Sequence, residues 1–493
     1  MADLIAALVL IAPVAPVVVA LAMLLCGSAA ATDAVGRWGG LAAAAPGLTL
    51  GALALARAGE EPLSGSWWRV DAPGAVFLIT VAAVGAASAV VSPGSLRTNP
   101  SSRAGALGSR RLYWVALMLF WATLIAVPLA RNLAVAWILI EATTAASALL
   151  VAYSGKRSAL EAGWKYLVLT SVGLTVALFG IVVLYVTAAG TEGSLSVLDW
   201  TALAERAPSL EHDATLAAFV LIVAGLATKA GWAPVHNWLP DAHSEAPPPV
   251  SALLSAALLP PGAPIAWLAA LALAPAGGED AVPALLFGFG LVSLAVAVPF
   301  LWRPLPWKRL LAYSSLEHMG VIALAIGFQH PLATAGLLLH VLGHGVAKSL
   351  GFYATVPLLR YQPAAARRPP RGVAALDRRI AGAVGLSLGP LSGLPPSPLF
   401  LSEILILSGG FAAGATWVSI VGAGLLALGF LGMAQVLVEG LAGRPSGRRP
   451  SGTRGTRQIA VLGLAAVVAL LALTVAGYAL PGSDIVRAVT GVA

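Results

Sequence analysis

Long apolar runs separated by short polar loops recur along the whole chain. Fourteen of them are long enough to cross about 30 Å of hydrocarbon. They are 4–27, 38–57, 73–92, 111–130, 133–153, 164–188, 214–239, 247–274, 281–302, 308–328, 331–358, 380–411, 415–440 and 459–480, numbered here as spans 1 to 14. In hydrocarbon a backbone must satisfy its own hydrogen bonds, so each span is expected to be helical. Charged residues make up only 10% of the 493, against about a quarter in an ordinary soluble domain. The expectation is an all-α polytopic membrane protein. Span 1 is too long for a signal-peptide core and lacks a basic start, so it is read as a spanning helix. The single cysteine, Cys26, leaves no disulfide framework and no thiolate metal centre.

The net charge of +8 does not point to nucleic acid, because the basic residues sit in loops between spans. The connections after odd-numbered spans, counted with the span ends that border them, hold 22 Lys/Arg, and the even-numbered ones counted the same way hold four: Arg57, Arg69, Arg131 and Arg206. That asymmetry places the odd loops in the cytoplasm and both termini on the non-cytoplasmic side of an inner cell membrane. The most basic linkers are Arg360–Arg379 and Arg444–Arg457, the second expected to be mobile. Of 29 basic residues only five are lysine, yet the two placed away from span ends, Lys229 and Lys348, are both lysine.

Two spans are broken by proline, which removes a donor and clashes with the preceding turn. Span 7 carries Pro234, and span 12 contains "GPLSGLPPSPLFLSE" with Pro395 and Pro396. Such breaks persist where they line a polar cavity, and matched breaks point to inverted repeats. Spans 4–8 and 9–13 form two sets of five with broken members of closely matching rank. The expected organisation is 1–105 for helices 1–3, 106–279 and 280–441 for two related five-helix bundles of opposite orientation, and 442–493 for a basic linker and helix 14.

A charge near mid-membrane costs a few kcal/mol, so each one is a functional candidate. Glu141 lies midway along span 5. Lys229 precedes the break in span 7; desolvation makes a buried lysine release its proton readily, which arginine cannot do. His243 follows the break, where a structural capping role is the plainer alternative. Span 10 carries Glu317 and His318, adjacent and therefore on different helix faces. In span 11, His340, His344 and Lys348 are spaced i, i+4, i+8 and form one stripe. HxxxH also suits a metal, but a third ligand would have to come from elsewhere and the lysine would repel a cation, so a proton-hopping stripe is favoured and no metal is expected. Glu403 follows the break in span 12. Together these residues offer a lateral series of acids and bases along the mid-plane. The chain carries no Walker lysine, dinucleotide fingerprint or cysteine cluster, so no cofactor, redox centre or ATPase site of its own is expected.

"ATKAGWAPVHNWLPDAHSEAPPPVSALLS", "KRLLAYSSLEHMG", "LLHVLGHGVAKSL" and "GLPPSPLFLSE" resemble signatures of the antiporter-like, proton-translocating membrane subunits. These subunits occur in respiratory complex I, group 4 membrane-bound hydrogenases and Mrp cation/proton antiporters. The resemblance runs from about residue 110 to 440, and "IEATTAASALL" and "YSSLEHMG" look closest to the hydrogenase-4 component F type. It implies that Glu141 pairs with Lys229, that His340, His344 and Lys348 match a central histidine/lysine set, and that Glu403 matches the charged residue of the broken twelfth span. It also implies fourteen helices and a place in a multi-subunit complex. Two departures stand out. Pro260 and Pro261 occupy the stretch where relatives often carry a basic residue, and Gly343 replaces an asparagine often found between the two histidines.

The leading expectation is therefore a proton-translocating subunit of a redox-driven complex, partnered by other membrane subunits and a peripheral redox module. The alternatives are an Mrp-type cation/proton antiporter subunit without electron transfer, and, in view of Pro260, a non-pumping accessory subunit.

Overall fold

The computed structural model describes residues 2–98, 107–189, 194–258, 269, 281–445, 456–484 and 486–487. Over these residues the chain is almost entirely helical; a two-residue antiparallel pair, Leu63–Ser64 with Arg69–Val70, is the one sheet. The helices are α1 (Ala2–Leu24), α2 (Ala29–Ala56), α3 (Ala72–Thr98), α4 (Leu107–Ala126), α5 (Leu133–Val151), α6 (Arg157–Ala189), α7 (Trp200–Arg206), α8 (His212–Ala230), α9 (Leu239–Glu245) and α10 (Pro248–Leu253). They continue as α11 (Ala281–Leu301), α12 (Trp307–Phe328), α13 (Pro331–Tyr361), α14 (Val373–Leu376), α15 (Arg378–Leu391), α16 (Pro398–Ala412), α17 (Thr416–Ala442) and α18 (Thr456–Ala479).

Eleven helices among the described residues are long and apolar enough to cross a membrane. The expected fourteen is not reached as a count of such helices, for physical reasons. Span 12 is split into α15 and α16. Span 8 begins as α10 and passes into a π-helical turn, Leu254–Leu258; its remainder, with Pro260 and Pro261, lies outside the described residues. Helix α13 is long enough, but His340, His344 and Lys348 lower its hydropathy. The basic linker after α17 falls mostly outside the described residues as well.

Local chemistry sets the helix ends. Ser28, Asn132 and Ser397 are extended N-caps whose side chains accept from the N–H groups of Ala31, Val135 and Phe400, satisfying donors that a helix start leaves open. Helix α8 ends at Gly231 (φ 72°), a left-handed conformation that glycine adopts without strain. Small residues then bring helices together, as membrane packing requires. A Cβ at Gly225 of α8 would stand 2.4 Å from Ala177 N and 2.5 Å from Gly173 O of α6.

The packing order repeats. In the first set α4 packs on α5, α5 on α6 and α6 on α8; in the second α11 packs on α12, α12 on α13, and α13 on both α15 and α16. Helix α12 is buried along its whole spanning stretch, and α13 also contacts α3 and α18. These two helices carry Glu317, His318, His340, His344 and Lys348, five of the nine candidate side chains, so much of the series sits on the most enclosed part of the fold.

Candidate functional site

Both proline-broken spans are open where sequence reasoning places them. After Gly231 the chain turns through Ala233–Pro234, and the segment is pinned by side chains that meet the freed backbone groups. Ala233 N donates to Ser293 Oγ (2.9 Å), Trp232 Nε1 to Met319 O (2.7 Å) and Trp238 Nε1 to Thr228 O (2.7 Å). Between α15 and α16 the chain passes through Gly393 and the Pro395–Pro396 pair. The peptide bonds before Pro234 and Pro396 are cis.

Lys229 is fully buried in the last turn of α8. Its Nζ donates to Thr144 Oγ1 (2.6 Å) and Tyr166 Oη (2.8 Å). Ser147 Oγ donates to Thr143 O at 2.6 Å, so its contact with Tyr166 Oη (2.8 Å) is one in which the tyrosine donates. The order is thus fixed: lysine to tyrosine to serine, across α8, α6 and α5. A neutral amine has two N–H donors and both are met here; an ammonium has a third. The ion pair with Glu141 that the resemblance implies is not formed. Glu141 is only partly buried, accepts from Ser171 Oγ (2.8 Å) and keeps Oε2 without a partner. It acts on Lys229 through Coulombic interaction rather than contact.

The second set carries a matching relay. His340 Nδ1 lies 2.9 Å from Ser402 Oγ, and that hydroxyl gives its proton to Leu399 O (2.7 Å). The imidazole must therefore donate from Nδ1, which leaves Nε2 bare. His318 Nδ1, 3.1 Å from His340 Nε2, is then the donor of that bond. Donation therefore runs from α12 to α13 to α16, through helices of the same rank as α5, α6 and α8 but in the opposite sense. Glu317, next to His318, indeed faces elsewhere: a Cβ at Gly429 of α17 would lie 1.8 Å from Glu317 Oε1, so the glycine makes room for the carboxylate.

His340, His344 and Lys348 share one face of α13. The His340 and His344 rings lie nearly parallel, 6.4 Å apart. Neither nitrogen of buried His344 has a partner. Lys348 is fully buried and donates to Ser314 Oγ (2.6 Å) and Leu311 O (3.1 Å). Leu311 O also accepts from Ser315 Oγ (2.9 Å), which in turn lies 2.7 Å from Ser255 Oγ. A hydroxyl pair, Ser315 on α12 and Ser255 in the π-helical turn of span 8, therefore stands beside Lys348. His243 is fully buried, stacked on Phe352 at 5.3 Å, with both ring nitrogens unpartnered; it interacts electrostatically with Lys348 and His344. Glu403 is partly buried, against Gly393 of the break. It lies with His318 and His340 in a group whose ligand atoms all fall within 4.8 Å of one another, which brings in the further ligands that HxxxH alone lacked.

Sequence reasoning did not single out Thr144, Tyr166, Ser147 or Ser402, although hydroxyls within apolar spans are a signal that could have found them. Asp241, in the first turn of α9, pairs with Arg309 (3.0 Å) and Lys165 (3.6 Å). Lys308 meets the other end of that helix, donating to Ser244 O (2.6 Å) and Ala246 O (2.5 Å).

A helical membrane fold with two broken spans and a buried lysine/histidine series defines a class of ion-translocating subunit. Residues 130–429 match the family described as NADH:quinone oxidoreductase/Mrp antiporter, transmembrane, and the chain belongs to that family. It is 34% identical over 321 residues to a hydrogenase-4 component F homolog of Methylacidiphilum infernorum, covering 64% of this chain and 67% of the relative. It is 33% identical over 293 residues to NADH-quinone oxidoreductase subunit N of Geotalea uraniireducens, covering 59% of this chain and 61% of that protein. The fold is shared with a chain of respiratory complex I from Thermus thermophilus (TM-score 0.81, 21% identity, 98% of each chain). It is shared equally with a chain of the Mrp complex from Dietzia sp. DQ12-45-1b (TM-score 0.83, 19% identity, 99% and 97% of the two chains).

Proposed function

We propose that this chain is a proton-translocating, antiporter-like membrane subunit of a redox-driven complex. It works beside other membrane subunits and a peripheral redox module that supplies the driving reaction. The observation that carries this reading is Lys229: a fully buried lysine, held only by two hydroxyls, at the end of a broken span. A structural cation at that depth would be expected to have a carboxylate against it. A proton carrier needs partners that tolerate both the amine and the ammonium, and hydroxyls do.

The route proposed runs from Glu141 and Lys229 through His243 to Lys348, then through His344, His318 and His340 to Glu403, with Glu317 as a side branch. The Ser255–Ser315 pair beside Lys348 supplies hydroxyls close to the stretch where relatives often carry a basic group. This supports a conducting subunit over a non-pumping one. A redox-linked role is favoured over an Mrp-type antiporter because the named relatives above 30% identity are hydrogenase-4 component F and NADH-quinone oxidoreductase subunit N proteins. The orientation proposed is the one the loop charges give, with both termini on the non-cytoplasmic side of an inner cell membrane.

The test is proton uptake by inverted membrane vesicles containing the native complex, wild type against Glu141→Gln and Lys229→Ala. Electron transfer that persists while proton uptake falls supports the reading. Unchanged uptake with the variant subunit assembled refutes it.

A further inference from the structure

We propose that His318, His340, His344 and Glu403 form a binding site for a divalent cation of the zinc type, and that an ion bound there halts proton exchange along the second relay. The blocking effect rests on the function proposed above; the binding does not.

The geometry is close to that of a tetrahedral centre. Zinc–nitrogen bonds of 2.0–2.1 Å place two donor nitrogens about 3.3 Å apart and the centroids of their rings roughly 5 Å apart. His318 Nδ1 and His340 Nε2 are 3.1 Å apart. Their ring centroids are separated by 5.0 Å, and those of His318 and His344 by 5.2 Å. His344 stands outside the group formed by His318, His340 and Glu403; its ring is 6.4 Å from that of His340, and it has to move inward to become the fourth ligand. Glu403 supplies a carboxylate oxygen within 4.8 Å of both His318 and His340 ligand atoms.

Unpartnered atoms point the same way. Both nitrogens of His344 are buried with no hydrogen bond, and a buried imidazole with neither nitrogen met is not accounted for by packing alone. The supporting layer is also in place. Ser402 accepts the His340 Nδ1 proton and so holds the bare Nε2 toward the centre, the arrangement by which metal-ligating histidines are oriented. For His318 to offer Nδ1, its proton moves to Nε2; the ring stays neutral and the proton count is unchanged.

Imidazole with carboxylate favours zinc and cobalt over magnesium or calcium, which take oxygen donors. Lys348 stands about 6 Å along the helix from His344 and about 12 Å from His340; its amine is turned away to Ser314 and Leu311, and the Glu403 carboxylate offsets its charge at the ion. Glu403 lies against Gly393, at the break between α15 and α16.

The experiment uses the purified complex with the full-length subunit and two probes, Co2+ and Zn2+. The ligand-field absorption of bound Co2+ and its equilibrium stoichiometry are measured for the wild type, Glu403→Gln, His344→Gln, Ser402→Ala and the surface variant His212→Gln. The expected result is one tetrahedral Co2+, displaced by Zn2+. Its binding falls by about tenfold or more in Glu403→Gln, His344→Gln and Ser402→Ala and stays unchanged in His212→Gln. Zn2+ should then inhibit proton uptake in wild-type vesicles. Absence of tetrahedral Co2+, or binding unaffected in all three inner variants, overturns the site. Co2+ bound at this site with proton uptake unimpaired overturns the block. Failure of the proton reading would show separately, as Lys229→Ala vesicles that still take up protons, and would leave Co2+ binding untouched.

Discussion

Lys229 Nζ lies 2.8 Å from Tyr166 Oη, and the tyrosine's own proton is given to Ser147. The lysine is therefore met by an oxygen whose donor is already spent, on a helix of different rank. The same three ranks recur in His318, His340 and Ser402, but donation there runs the other way, from second helix to third to fourth.

Tyr166→Phe removes one of the two acceptors of Lys229 and leaves packing nearly unchanged. An unmet donor at this depth costs about 1–3 kcal/mol. Proton uptake per electron should drop by about tenfold while the complex still assembles. Ser147→Ala, which only deprives the tyrosine of its acceptor, should have the smaller effect. Proton uptake in vesicles with matched subunit content separates the two.

Lys348→Arg keeps a positive charge but fixes it, since guanidinium does not deprotonate in proteins. Proton uptake should be lost as fully as in Lys348→Ala. If arginine sustains uptake, Lys348 serves as a fixed charge, and stopped-flow pH traces would show it.

Gly429→Ala places a methyl where Glu317 Oε1 now sits, 1.8 Å from the ideal Cβ. The carboxylate has to swing away. Uptake should fall to the level of Glu317→Gln, with assembly retained. Gly288, with nothing within 4 Å, is the matched control, and Gly288→Ala should behave as wild type.

Gly225→Ala should act on folding instead. Its Cβ would meet the backbone of α6 at 2.4–2.5 Å, and backbone cannot give way as a side-chain end can. Overpacking of this kind costs about 1–3 kcal/mol. A lower melting temperature and reduced incorporation in the membrane would register it.

Outside the membrane, Glu211 caps α8 by accepting from Ala214 N (2.6 Å) and Asp213 N (3.1 Å). These two N–H groups hold its carboxyl below the usual glutamate range. A lowered folded-state pKa means the cap is fully present above the unfolded value of about 4.3, and is lost as pH falls through the lower folded-state value. Hydrogen exchange at Asp213 and Ala214 should therefore speed up in that acidic window. In Glu211→Gln the exchange should show no step there.

The helical segments were legible in the sequence because hydrocarbon leaves so few options: a long apolar run must be a helix, and a proline cluster must be a break. The positions of Lys229, Lys348 and the α13 stripe were legible for the same reason, since charge at such depth is costly. What the sequence did not show was which neighbours meet them. Glu141 appears to any reader of the pattern as the partner of Lys229, yet the contact is made by Thr144, one turn further on, and by Tyr166 from α6. His318 meets His340 only because α12 and α13 cross at that level. Ser402 is an ordinary residue until its hydroxyl proton is traced to Leu399 O. Such choices are set by helix rotation and tertiary packing, not by spacing within one segment.

The central claim is that Lys229 moves protons by changing charge state. The most direct test is the proton-to-electron ratio of vesicles carrying Lys229→Arg in a fully assembled complex. The account predicts continued electron transfer with the ratio lowered as far as in Lys229→Ala. A wild-type ratio with arginine at this position would contradict it, because a permanent cation would then suffice.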